Sequence, residues 1–353
     1  MVIKDNTVVF EKCDSDFVQK FGSVQAEEMV LNFSSLNNIP FIYDTYQLSA
    51  FLGTNRKLLF QYTKHPSAFY REYVVKKKNG DDRVLHSPDF RLKSFQNIIL
   101  HNILELLPVS EFATAYHKGA RLKDNAAPHV GKKYLLKLDI KNFFDSICFE
   151  QVYNSAFNSK YYPKFIGVLL TSLCCRNNSL PQGAPTSPAI SNLVMRNFDN
   201  NIGKWCEKHS VTYTRYCDDL TFSSDRPLHF VYNKVRSFLE ETGFALNERK
   251  TLFVSNSRRQ SVTGLTVNEK VSVSRDYKRS LRCEIHYILK YGFEDCLKYS
   301  LGGKTAEVSK ADLLDYCNRI LGKINYVLMI EPDNVWFKSA YWKLRELASK
   351  DKR

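Results

Sequence analysis

Apolar positions in RLKSFQNIILHNILELL recur at helical spacing, with Leu92, Phe95, Ile98, Ile99, Ile103, Leu106 and Leu107 on one face. The run predicts an amphipathic helix that Pro108 terminates. Upstream, YREYVVKKKNGDDRVLHSP reads as two strands joined by a polar, glycine-containing turn. Downstream, KYLLKLDIKNFF is a short apolar run ending in Asp139, the pattern of a buried strand with a carboxylate at its end. Such a carboxylate is costly to bury unless it is paired, protonated or bound to a cation.

Residues 177–188, NNSLPQGAPTSP, form a loop by composition, and Ser187 followed by Pro188 suits the cap and first turn of a helix. That helix carries Ile190, Leu193, Val194, Phe198, Ile202 and Trp205 along one side. Its partner should be a sheet made of the Asp139 strand and the hairpin Thr214–Ser224, TRYCDDLTFSS, whose bend holds two adjacent acids. Asp is common in tight turns, so the pair alone implies only a turn. After Gly303 the helical period returns in ADLLDYCNRILGKINYVL and SAYWKLRELASK.

The alternation of strands and helices to about residue 265 argues for an α+β core, and the 353-residue length for two or three subdomains. We read residues 1–60 as a mostly helical N-terminal extension, 61–265 as the core and 266–353 as a helical C-terminal part. A surplus of 51 Lys and Arg over 37 Asp and Glu gives a net charge of +14, which points to a polyanionic partner, nucleic acid or anionic lipid. No apolar stretch approaches the length of a membrane span, which disfavours a membrane partner. Nine cysteines without a CxxC pair, Cys174 beside Cys175 and no apolar export core in MVIKDNTVVFEK predict a reducing cytoplasm rather than secretion.

The acids acquire a chemical meaning when taken together. One carboxylate from KLDIKNFF and one from the YCDD turn, at the ends of neighbouring strands, suit two divalent ions about 4 Å apart, as used for in-line phosphoryl transfer. All-oxygen ligands favour Mg2+.

DIKNFF, LPQGAPTSPAISNL, YCDDLTFS and FALNERKTLF, in that order, resemble the successive palm motifs of reverse transcriptases. With KKKNGDDR upstream, the likeness spans roughly residues 60 to 265. It implies a right-hand polymerase fold: fingers and palm with an antiparallel sheet over 61–265, and a helical, RNA-binding thumb over 266–353. Carried over residue by residue, Asp139 and Asp218 match the metal-binding aspartates of a two-ion Mg2+ site, with the Ile140 carbonyl as a further ligand. Asp219 takes a supporting role, because neighbouring residues point apart. Phe144 resembles the aromatic gate that excludes a 2′-hydroxyl, although Phe143 and Phe144 also suit core positions. Gln182 and Gly183 match the loop lining the nucleotide, Lys76 and Arg83 the basic clamp on the triphosphate, and Lys250 the general acid for the leaving pyrophosphate.

DNAAPH (Asp124–His129) and SVTGL (Ser261–Leu265) resemble the Asn-Ala-x-x-His and Val-Thr-Gly signatures of bacterial retron reverse transcriptases. A lone His such as His129 is more often a structural hydrogen-bonder than a catalyst. From Thr242 to Arg282 the chain has nine basic and three acidic residues, and Arg275, Lys278, Arg279 and Arg282 fall where the family's thumb grips RNA. The retron resemblance implies an RNA-directed DNA polymerase that uses dNTPs to copy part of its cognate structured noncoding RNA into single-stranded DNA (msDNA). Synthesis would be primed by an internal guanosine 2′-hydroxyl, a host ribonuclease H would trim the RNA, and an effector toxin would act beside it in antiphage defence. Two alternatives remain: another bacterial defence or group II-like reverse transcriptase with a different template and primer, or an inactive RNA-binding scaffold. The acids at 139, 218 and 219 count against the scaffold, and the lack of a Cys/His cluster or appended domain counts against an intron maturase.

Overall fold

The computed structural model describes residues 2–4, 7–9, 39–76, 80–302 and 308–350. The chain begins with strands β1 (Val2–Lys4) and β2 (Thr7–Val9), which pair antiparallel. Helices α1 (Thr45–Phe51) and α2 (Arg56–Lys64) follow, then hairpin strands β3 (Tyr70–Lys76) and β4 (Asp82–Pro88) and helix α3 (Phe90–Asn102). Short helix α4 (Leu122–Ala126) leads to strand β5 (Tyr134–Asp139). Next come α5 (Phe143–Ser146), α6 (Phe149–Ala156), α7 (Lys164–Cys174) and the long α8 (Ser187–Lys208). Strands β6 (Thr212–Tyr216) and β7 (Asp219–Ser224) form the acid-bearing hairpin, followed by α9 (His229–Glu241) and β8 (Leu252–Ser255). Two-residue strands β9 (Ser261–Val262) and β10 (Leu265–Thr266) precede four helices: α10 (Arg275–Tyr291), α11 (Phe293–Ser300), α12 (Lys310–Ile330) and α13 (Val335–Lys350).

These elements make two compact units. The first comprises Met1–Ala120, Leu136–Phe222 and Pro227–Phe253, and its centre is the four-stranded sheet ordered β6-β7-β5-β8. Strands β6 and β7 are buried along most of their length and place Tyr213, Leu220 and Phe222 in the core, while the apolar run of β5 buries Leu136 and Leu138. Helix α8 lies against β6 and α6, burying Ile190, Leu193, Phe198 and Ile202, four of the residues predicted for its inner side. It approaches so closely that a Cβ at Gly203 would overlap the Phe112 ring.

The second unit comprises Arg121–Leu135, Ser223–Arg226 and Val254–Arg353. Its apolar core joins Leu135, Val262 and Leu265 to the inner faces of the four C-terminal helices, including Ile285, Ile324, Val327, Phe337 and Leu344. After Phe253 the chain enters this unit, where Val262 and Leu265 are fully buried.

Two local expectations change. Ser187 is the first residue of α8 rather than its cap; Thr186 precedes it, and the Ser187 hydroxyl donates to the Pro181 carbonyl at 2.8 Å. The N-terminal extension, read as mostly helical, is helical in α1 and at the start of α2 but opens with the β1-β2 pair. The rest of that prediction, residues 10–38, lies outside the described residues.

Candidate active site

The end of β5 is held on both sides by backbone hydrogen bonds. Ile140 N–H donates to the Asp218 carbonyl at 3.1 Å, while Asn247 N–H donates to the Asp139 carbonyl and Lys141 N–H to the Ala245 carbonyl, each at 2.8 Å. The strand end is thus fixed between the hairpin turn and the segment before β8. Cys217 and Asp218 are the two turn residues, and Cys217 has φ +60°, the left-handed conformation that short hairpin turns require but non-glycine residues resist.

Asp139 and Asp218 both line one cavity of about 1130 Å³, together with Ile140, Phe144, Arg83, Gln182, Lys250, Asn247, Tyr116 and Cys217. Asp219 starts β7 and is not among the lining residues, the separation that alternating strand geometry predicts for the second acid. Asp139 is buried at 7% exposure, and its carboxylate accepts from Lys250 Nζ at 2.6 Å and from Asn247 Nδ2 at 3.2 Å. Burial, reinforced by the charges of Asp219 and Asp139, pushes the Asp218 pKa up to about 6. Burial likewise raises that of Asp219, and the hydrogen bond to Asp139 raises that of Lys250.

Among the described residues no three His, Cys, Asp or Glu side chains are placed to hold a metal ion together. In the metal-free chain Lys250 supplies the positive charge at Asp139. The donors nevertheless fit Mg2+, which takes one or two carboxylates and completes its shell with water and substrate phosphates. A partly buried Asp218 held near two like charges is a group whose ionised form a cation would favour.

The remaining expected residues divide by position. Phe143 is buried and packs near Phe244, with ring centroids 6.1 Å apart, whereas Phe144 is half-buried on the cavity wall. Arg83 lines the cavity; Lys76 does not, and it ion-pairs with Asp82 at 2.6 Å on the exposed hairpin. The Gln182 carbonyl accepts from His86 N–H at 2.7 Å, and Gly183 has φ +123° with a Cβ position 2.9 Å from the His86 carbonyl oxygen. Strand β4 thus requires glycine there whether or not a nucleotide is present.

In the second unit, Arg275 and Arg279 project from α10 into solvent. Lys278 is committed to Glu331 at 2.6 Å, where Val273 N–H also donates, and Arg282 lies 5.3 Å over each of the Trp336 and Phe337 rings. Asn125 Nδ2 lies 3.5 Å from Thr263 Oγ1, so the DNAAPH and SVTGL stretches meet in space. His129 is fully buried with Nδ1 2.7 Å from Ser223 Oγ, and burial lowers its pKa to about 3. It is neutral at pH 7 and plays a structural part. Asn247, Tyr116 and Cys217 were not singled out in sequence; only their adjacency to Lys250, the fingers segment and the YCDD acids marked them.

A sheet that carries these motifs in order and converges two acids on one cavity defines a nucleic-acid polymerase palm. The family described as Reverse transcriptase (RNA-dependent DNA polymerase) matches residues 75–269, more than half of the chain, and the chain belongs to that family. The retron Ec86 reverse transcriptase of Escherichia coli is 36% identical over 226 residues, covering 62% of this chain and 70% of its own length. The retron Mx65 reverse transcriptase of Myxococcus xanthus is 36% identical over 264 residues, 68% of this chain and 61% of its own. The retron Ec83 reverse transcriptase of Escherichia coli is 31% identical over 283 residues, 76% of this chain and 85% of its own. Within the family, this is a retron reverse transcriptase, an RNA-directed DNA polymerase.

The raised Asp218 pKa has a signed consequence for the metal-free chain. A carboxyl group whose folded pKa exceeds its unfolded value favours the fold below the unfolded value, near 3.8, and that contribution is lost as pH rises through about 6. Asp218→Asn should therefore stabilise the metal-free chain at pH 7.5 by roughly 1–2 kcal/mol, with the gain vanishing toward pH 4. Denaturant melts of both forms in a chelator at the two pH values provide the check; a pH-independent difference would refute the assignment.

Proposed function

We propose that this polymerase copies part of a cognate structured noncoding RNA into single-stranded DNA, primed by an internal guanosine 2′-hydroxyl, with Asp139 and Asp218 as its metal-binding pair. The observation that carries the reading is the convergence of Asp139 and Asp218 on one cavity, in a chain whose curated relatives are retron enzymes. When bound at Asp139, Asp218 and the Ile140 carbonyl, Mg2+ supplies charge that lowers the pKa of an attacking hydroxyl and stabilises a leaving pyrophosphate. Asp219 supports that pair from β7 through its charge.

The chain's own residues position the substrate. Arg83, on the cavity wall, meets the triphosphate with its planar fork, while Lys76 adds positive charge at the hairpin end. Phe144 lies beneath the sugar and leaves no room for a 2′-hydroxyl; Gln182, held by His86 through its backbone, lines the nucleotide. Lys250, paired with Asp139 in the metal-free chain, would deliver a proton to the leaving group. Arg275 and Arg279 are the α10 residues best placed to contact RNA phosphates, since Lys278 is engaged by Glu331. An effector toxin, antiphage defence and trimming by a host ribonuclease H belong to the same proposal.

Sequencing the nucleic acid that copurifies with the chain tests the template and primer. A branched RNA-DNA hybrid joined at a guanosine 2′-oxygen is expected; unbranched or unrelated nucleic acid would point to a different template and primer. Phe144→Ala should raise ribonucleotide incorporation relative to deoxynucleotide at least about tenfold, because removing the ring removes the steric exclusion. Unchanged selectivity in single-nucleotide extension would take the gate away from Phe144.

A further inference from the structure

Behind the YCDD turn lies a fully buried ion pair that the motifs do not include. Arg215 on β6 and Asp199 on α8 are each inaccessible to solvent, with Arg215 Nη2 2.6 Å from Asp199 Oδ2 and Arg215 Nε 2.9 Å from Oδ1. Tyr213 OH donates to Asp199 Oδ1 at 2.8 Å. One guanidinium nitrogen is left over, and it points at the turn: Arg215 Nη1 donates to the Cys217 carbonyl at 3.0 Å. The Arg215 backbone is itself fixed, donating to the Phe112 carbonyl and accepting from Thr114 N–H, both at 2.8 Å.

Stability does not explain this arrangement. Desolvating two charges costs about as much as their attraction returns, and apolar replacements of buried pairs are often neutral or stabilising. What the pair supplies is orientation. The guanidinium is rigid and anchored through two of its nitrogens on Asp199, so its third nitrogen has a fixed direction. It grips the carbonyl of the residue at φ +60°, whose conformation decides where the next side chain, Asp218, is aimed. Helix α8, which presents Asp199, starts five residues after Gln182, so one buried pair links the nucleotide-lining loop to the acid-bearing turn.

We infer that Arg215 is a positioning residue: held by Asp199 and Tyr213, it clamps the Cys217 carbonyl and thereby sets the Asp218 carboxylate against Asp139. The inference rests on the reading of Asp218 as a metal-binding residue.

Two variants of the full chain test it. Arg215→Lys keeps the charge for Asp199 but cannot hold the bidentate grip and reach the carbonyl together. The triple variant Arg215→Met, Asp199→Leu, Tyr213→Phe replaces the polar cluster with apolar side chains and should melt no lower than the parent. In both, kcat for DNA synthesis should fall about 10- to 100-fold, the loss typical of a small misplacement, while KM for dNTP stays within about twofold. Mn2+ binding followed by electron paramagnetic resonance without substrate should weaken in parallel. A folded variant with the parent's kcat and Mn2+ affinity would overturn the clamp, as would a loss of kcat that merely tracks melting temperature. Asp218→Asn separates the two ideas: full synthesis in that variant removes the metal-site reading, whereas an inactive Asp218→Asn beside fully active Arg215 variants removes the clamp alone.

Discussion

Everything in the first unit turns on holding Asp139 and Asp218 at the edge of a buried sheet although their charges repel. Backbone geometry imposes the proximity: Ile140 N–H bonds the Asp218 carbonyl, so the end of β5 and the hairpin turn cannot separate without losing a hydrogen bond. Electrostatics makes it tolerable, through Lys250 on Asp139 and a raised pKa on Asp218. On the proposed reading, a divalent cation would take the carboxylate that Lys250 holds in the metal-free chain. A like-charge pair that would destabilise an ordinary turn is an arrangement whose ionised form a cation would favour.

Much of this was legible in the sequence because it depends on local pattern. The strand-forming residues around the acid turn of TRYCDDLTFSS, the apolar run into Asp139 and the helical period of α8 each set an element without reference to the others, and the order of the motifs pointed to the fold. The long-range contacts were not legible. Lys250 meets Asp139 from 111 residues away and Arg215 meets Asp199 across 16, and no local rule says which basic residue faces inward. Arg215 sits in a strand whose neighbours read as ordinary alternation, and only the fold shows it fully buried. The pairing of Lys278 with Glu331, 53 residues later, was no more legible. The close approach of Gly183 to the His86 backbone was likewise not legible.

The second unit follows a different logic. Its core is assembled from a short segment before β5 and the helices after residue 254, which explains why the DNAAPH and SVTGL stretches, more than a hundred residues apart, come together. Neutral, buried His129 and the Asn125–Thr263 contact tie that segment down, and Arg275 and Arg279 are exposed on α10.

The proposed exchange of Lys250 for a divalent cation at Asp139, beside Asp218, is measured most directly by the melting temperature of the full chain as a function of Mg2+ concentration. A ligand that binds only the folded state raises stability logarithmically with its concentration. The parent chain should show that rise and Asp139→Asn should not; an equal rise in both would contradict the account.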